Sequence, residues 1–243
     1  MTTTDPQPTG STARVADSGR IRVLIVDDHP AVRHGVMRLI EEQPDMDVIA
    51  SATSADTALA AGATADVAVL DYNLGAHDGL WLTGRLKRLD KPPHVLIYSA
   101  FADQTLAVAA TIAGADGLLG KGTLAEELSI AIRRLAGGRQ SLPAVKAPVA
   151  NTLRSRLQSR DQAIFGMLLH GIAPAEIADA LAITPDELEA RRATILRSLA
   201  PQLKIAGPAR AFAPLDYELP QRRHSYASAQ AAVKHSQTET QER

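Results

Sequence analysis

The feature that most constrains this chain is a short apolar run that stops on a carboxylate, and it occurs twice. Val67-Ala68-Val69-Leu70 runs into Asp71, and Ile21-Arg22-Val23-Leu24-Ile25-Val26 runs into Asp27 and Asp28. Short apolar runs of this kind fit strands buried on both faces of a parallel sheet. In an open α/β sheet the ligand crevice lies at the carboxyl ends of the strands. Two such strands side by side therefore gather Asp27, Asp28 and Asp71 in one place. Like charges at that spacing are costly unless a cation sits among them.

The rest of the N-terminal half continues the alternation. A helix is expected after Asp28-His29-Pro30, with Val32, Val36, Leu39 and Ile40 at helical spacing and Pro30 in its first turn. A strand over 47–50 follows, then an Ala-rich helix capped by Ser54. After the strand ending at Asp71, a loop over 72–79 leads to a helix carrying Leu80, Leu82, Leu86 and Leu89. The run His94-Val95-Leu96-Ile97-Tyr98 is a further strand, ending at Ser99-Ala100. An Ala-rich helix from Asp103, a short strand ending at Gly120-Lys121, and an amphipathic helix capped by Thr123 complete the set. Glu126 stands three residues after Thr123, the spacing of a capping box. Five strand-helix units in strict alternation imply an α/β fold, a doubly wound parallel sheet of five strands with helices on both faces.

Beyond Gly138 the pattern changes. Pro143 and Pro148 mark a linker over 138–152, and the chain is helical in period from Leu153. Pro174 opens one helix, Ile183-Thr184-Pro185 makes a turn with Thr184 as N-cap, and a longer helix runs to Leu199. This is a helix-turn-helix pattern in a small all-α domain. The expected organisation is a disordered lead-in over 1–20, an α/β domain over 21–137, the linker, the helical domain over 153–206 and a disordered tail over 207–243.

Composition excludes several function classes. The chain has 243 residues, 45% of them hydrophobic and 22% charged, which suits packed domains. It has no cysteine, so disulfides, thiolate zinc sites and thiol catalysis are excluded. The formal net charge is −1, so the whole chain carries no basic signature for nucleic acid, although a small module with a basic local field is compatible with it. No run is long and apolar enough to cross a bilayer, and a cytoplasmic location without membrane contact is expected. The histidines His77, His94 and His170 share no ligand spacing, and His29 reads as a loop residue near the acids.

The strand ends together hold Asp27, Asp28, Asp71, Ser99 and Lys121. An Asp can accept a phosphoryl group as an acyl phosphate, a reaction that needs mostly position and charge. Mg2+ favours one or two carboxylates completed by phosphate oxygens and water, which Asp27 or Asp28 with Asp71 supplies. Lys121 offers a point charge and Ser99 a hydroxyl to the phosphoryl oxygens, and loop N–H groups near Tyr72 and Ala100 add donors. Each residue alone reads as a turn residue or solvated surface. Their order, each at the end of a successive buried strand, is what points to chemistry.

At these residues the sequence resembles a known family. IRVLIVDDHPAVRHGV, VAVLDYNLGAHDGL, VLIYSAF and GADGLLGKG are similar to the receiver domain of two-component response regulators. The segment RDQAIFGMLLHGIAPAEIADALAITPDELEARRATILRSL resembles the LuxR-type output domain of the same proteins. The resemblance implies a flavodoxin-like sheet of order 2-1-3-4-5. It implies Asp71 as phosphoacceptor, and Mg2+ held by Asp27, Asp28, Asp71 and the backbone carbonyl of Asn73. Ser99 would be the switch hydroxyl, with Lys121 and Ala100 in contact with the phosphoryl group. A sensor histidine kinase, promoter DNA and a phosphorylation-dependent homodimer are the implied partners. The implied function is a transcriptional response regulator, not an enzyme beyond self-catalysed phosphoryl uptake and autodephosphorylation at Asp71.

The chain departs from the family pattern at several places. Leu118 stands where an aromatic switch residue is usual, and Gly75 where a proline is usual. In the recognition helix the positions usually read as Thr-Val-Lys and His carry Glu187, Leu188, Glu189 and Arg191. Carboxylates at the end that enters the major groove oppose phosphate contact, although they suit a helix dipole. Arg191, Arg192 and Arg197 remain as candidate DNA contacts, with Arg154, Arg156 and Arg160 ahead of the domain. Two other classes compete. One is a receiver-controlled protein-interaction module whose helices no longer read specific DNA. The other is an Asp-nucleophile phosphatase, which Asn73 argues against because such enzymes place a general acid at that position.

Overall fold

The computed structural model describes residues 19–202, apart from residue 76. The expected lead-in up to residue 18 and the tail from residue 207 lie outside the described residues.

Strands β1 (Ile21–Val26), β2 (Met46–Ala52) and β3 (Val67–Asp71) alternate with helices α1 (Pro30–Glu41) and α2 (Ala55–Gly62). Two short strands, β4 (Asn73–Leu74) and β5 (His77–Asp78), precede α3 (Gly79–Leu86). Then come β6 (His94–Ser99), α4 (Gln104–Ala113), β7 (Gly117–Gly120) and α5 (Ala125–Ala136). The five-stranded sheet has the order β2-β1-β3-β6-β7, all parallel. Leaving aside the small β4-β5 pair, this is the expected doubly wound order 2-1-3-4-5. The register pairs Val26 with Leu70, Asp71 with Tyr98 and Ser99 with Gly120, which brings the functional strand ends to one edge.

Alternate residues of each strand face opposite layers. Val23, Ile25, Val67, Val69 and Leu96 pack with Val36 and Ile40 of α1 and Leu128 and Ile132 of α5. Leu24, Val26, Ala68, Leu70 and Ile97 face the other way, with α2, α3 and α4. The second layer does not end at α4. It runs on into the C-terminal helices α6 (Ala147–Arg154), α7 (Ser159–Leu169), α8 (Pro174–Leu181) and α9 (Pro185–Leu199) through Leu153, Phe165, Ile177, Leu188 and Ile195. Helix α4 explains the continuity. Leu106 to Ala110, Ile112 and Ala113 are all buried, so it has no solvent face and needs a partner on each side. The sheet supplies one, and α7 and α9 the other.

Several local expectations are corrected. The loop over 72–79 is a hairpin, with Asn73 paired to Asp78 and Leu74 to His77. Gly75 has φ +77°, a turn conformation that favours glycine. Asp78 then caps α3 by accepting from Trp81 N–H at 2.7 Å. The capping box at Thr123 is absent. Leu124 is the N-cap of α5, and the Thr123 hydroxyl donates to the Gly120 carbonyl at 2.8 Å, closing the turn behind β7. Ser54 does occupy the N-cap of α2, but its hydroxyl lies 3.2 Å from that of Thr57 and bonds no N–H of the helix.

The linker is also more structured than expected. Ser141 forms a parallel bridge with Gly117, and Leu118 N–H donates to its carbonyl at 3.2 Å, so the linker borders the sheet. Helix α6 takes up the end of the linker, from Ala147 onward. Thr184 caps α9 as expected, accepting from Glu187 N–H at 3.1 Å.

Candidate functional site

The sheet edge assembles the acids from residues that hold nothing together locally. Asp27 ends its apolar strand and is buried, as is Asp71 at the end of β3. Lys121 follows β7 and is held there by its own N–H, which donates to the Ser99 carbonyl at 2.8 Å. Its Nζ donates to Asp27 Oδ2 at 2.7 Å and lies 3.0 Å from Asp71 Oδ2. One ammonium thus bridges carboxylates from two neighbouring strands.

Charge at the site is out of balance. Asp27, Asp28 and Asp71, with the ring of His29, present ligand atoms that all lie within 4.8 Å of one another. Burial pushes the Asp71 carboxyl above the ordinary carboxylate range, and the Lys121 hydrogen bond and charge pull against that rise without reversing it. Burial alone would lower the Lys121 ammonium, but its hydrogen bonds to Asp27 and Asp71 and their charges outweigh that and raise it. Asp28 Oδ1 is buried with no hydrogen-bond partner among the described residues. His29 Nδ1 stands 2.7 Å from it, outside hydrogen-bonding geometry. An orphaned carboxylate oxygen beside two half-neutralised ones is the donor set of a hard divalent cation.

The remaining expected residues fall around this cluster. Ser99 is buried, and its Oγ accepts from Phe101 N–H at 3.2 Å. Ala100 lies exposed in the bend between them. Asn73 begins β4, and its N–H acts to lower the Asp71 carboxyl. His29, expected as a loop residue near the acids, belongs to their cluster. Arg33 donates to the Asp27 carbonyl at 2.8 Å and ties α1 to the site, on no sequence signal beyond proximity.

A family model described as the response regulator receiver domain matches residues 23–133. The transcriptional regulatory protein LiaR of Bacillus subtilis is 30% identical over 194 residues, spanning 74% of this chain and 90% of LiaR. The chain belongs to the response regulators of the LuxR/NarL type. The DNA-binding transcriptional activator DevR/DosR of Mycobacterium tuberculosis is 30% identical over 171 residues, 65% of this chain and 79% of that protein. Among solved structures, a two-component response regulator of the LuxR family from Aurantimonas sp. is 32% identical, with a TM-score of 0.49 over 54% of this chain and 94% of that one. No helix among the described residues of this regulator is long and apolar enough to cross a membrane.

The regulator's helix-turn-helix is formed by α8 and α9, and its arginines are not where a DNA-contacting set was expected. Arg192 is a correction. It is buried, its Nε donates to the Ile112 carbonyl of α4 at 2.8 Å, and its Nη1 pairs with Glu189. It clasps the receiver and does not face solvent, because α4 has no polar face and draws α9 over itself. Arg191 spends its charge within the output domain, on Asp161 at 3.2 Å and Glu187 at 3.0 Å. Arg197 is exposed and bonds its own helix at Thr194.

Proposed function

We propose that Asp71 accepts a phosphoryl group from a sensor histidine kinase or a small phosphodonor, and that this releases α9 to bind promoter DNA. The reading rests on one observation, the Lys121 ammonium shared between Asp27 and Asp71 beside an orphaned Asp28 oxygen. An Asp71 carboxylate oxygen attacks phosphorus, the bond to the donor's imidazole or carboxylate breaks, and the electron pair leaves with the donor. Asp27, Asp28, Asp71 and the Asn73 carbonyl would hold Mg2+, which supplies charge for the phosphoryl oxygens. Lys121 would then turn from the carboxylates to the phosphoryl group. Self-catalysed uptake and later hydrolysis at Asp71 are the only chemistry the site needs.

Ser99 would carry the signal onward. Rotation of its side chain toward a phosphoryl oxygen would carry Oγ away from the Phe101 N–H that it accepts from, which loosens the bend before α4. Gln104, the first residue of α4, holds the linker from both sides, donating to the Ala144 carbonyl at 3.1 Å and accepting from Lys146 N–H at 2.7 Å. Loosening that end weakens the seat of the linker and of α9 together. The freed regulator would bind DNA as a homodimer in the cytoplasm, as its kinship with a DNA-binding transcriptional activator supports.

Asp71→Ala should abolish Mg2+-dependent uptake of labelled phosphoryl from acetyl phosphate. Uptake that survives the change removes Asp71 from the role. For the output half, a gel-shift series over salt on a promoter fragment should show a steep salt dependence after phosphorylation. No shift even at low salt would favour a protein-interaction module, a reading that the neutralised Arg191 and Arg192 keep in view.

A further inference from the structure

A cavity of about 840 Å³ lies on the far side of the clasp, between receiver, linker and output helices. Its size is that of an organic-ligand site, and boundaries between domains are where such sites concentrate. Its walls are amphipathic. Phe165 and Leu168 of α7 and Val145 of the linker give it apolar surface, and four basic side chains line it against two carboxylates.

Arg192 supplies the sharper observation. Its side chain is 7% exposed, its Nε and Nη1 are engaged, and its Nη2 has no hydrogen-bond partner among the described residues. Gly114, with φ +86°, makes room for it, since a Cβ built there would meet Nη2 at 2.6 Å. The free edge of this guanidinium faces the cavity while its other nitrogens are held, so it is a pre-positioned donor for an anion. Arg154, exposed on the same lining, has no ion-pair partner among the described residues.

We infer that this cavity binds an amphipathic organic anion, a carboxylate carried on an apolar chain. The carboxylate caps Arg192 Nη2 within reach of Arg154, and the chain lies against Phe165 and Leu168. Because the walls come from both halves, the ligand stabilises their packed arrangement and opposes release of α9. The regulator thereby reads a metabolite as well as a phosphoryl group. The inference goes beyond the phosphorylation reading and does not depend on it.

The test is calorimetric titration of the full unphosphorylated chain with decanoate below its micellar concentration, and with decanol as the uncharged control. Decanoate should bind at one site, about tenfold more tightly than decanol. Arg154→Glu, at an exposed position, should weaken it by about tenfold. Gly166→Phe should abolish it, because a Cβ at Gly166 meets nothing within 4 Å and the ring fills the cavity. Asp71→Ala should bind as the unaltered chain does, which separates this site from the phosphoacceptor. The inference is overturned by absence of saturable heat up to roughly 1 mM, by equal affinity for decanol, or by unaltered binding in both cavity variants.

Discussion

The strand-end site and the α4-α9 seam use the same kinds of side chain to opposite ends. At the sheet edge three carboxylates meet one ammonium, and a buried Asp28 oxygen is left without a hydrogen bond among the described residues. At the seam Arg192 has Glu189 against its Nη1, and behind it Arg191 is paired inside the output domain with Glu187 and Asp161. Unmatched charge held in place by buried strands is a site waiting for a ligand. Matched charge laid over an apolar helix is a closure. The comparison teaches that an arginine on a recognition helix can be spent inside the protein, so its presence in the sequence says little about DNA until its acceptors are known.

Removing the Lys121 ammonium from the acid cluster should have the largest effect. Lys121→Ala leaves Asp27 and Asp71 facing each other with about a sixteenth of their side-chain surface exposed or less. The expected loss is about 3 kcal/mol at neutral pH in urea unfolding, partly recovered when Mg2+ is added. A variant as stable as the parent, and indifferent to Mg2+, would break the claim that the cluster is short of positive charge.

Opening the seam should cost less. Arg192→Ala orphans the Ile112 carbonyl and the Glu189 carboxylate, at about 2 kcal/mol. Amide exchange should quicken at the C-terminal end of α4 and along α9, while the strands keep their protection. Unchanged exchange in α9 would mean that the apolar contacts alone hold it.

Asp78 sharpens the contrast from a third position, as a buried acid with no cation beside it among the described residues. Burial pushes its carboxyl up to about 6, against the pull of the Trp81 and Leu80 N–H groups. The unfolded value is about 3.9, so between the two the folded chain holds a proton that the unfolded chain has released. The stability that Asp78 contributes is therefore fully present below about pH 4 and is lost as pH rises through about 6. Asp78→Asn keeps a capping oxygen, removes this slope, and should stabilise the protein at neutral pH by on the order of 2 kcal/mol. Parallel pH-stability curves for the two proteins would show that Asp78 does not titrate in this window.

Much of the receiver half was legible from sequence because its signals are local. Apolar runs ending in Asp27, Asp71 and Ser99 specify strands and their exits together, and the alternation of strands with helices leaves few topologies. Where local signals compete, sequence reading chose wrongly. Thr123 has the spacing of a capping box, but the same hydroxyl is within reach of the Gly120 carbonyl, and the turn that holds Lys121 in place takes it. The hairpin after Asp71 escaped notice because each of its strands has two residues, too few to show a period. The linker's prolines hid helix α6, since Pro148 sits in the first turn, where it is tolerated. For the seam there was a signal: Gln104 to Ala113 has hardly a polar residue after its first turn.

By itself the sequence determined which residues become strands, where each strand stops, and that its stopping points are acids, a hydroxyl and a lysine. These follow from periodicity and burial, which act over a few neighbouring residues. Only the tertiary structure decided that Lys121 reaches Asp27 across 94 positions and that Arg192 reaches the Ile112 carbonyl across 80. Apolar attraction has no direction of its own. It brings α9 onto α4, and only then do the hydrogen-bonding geometries of the polar groups fix which arginine is enclosed and which is left in water.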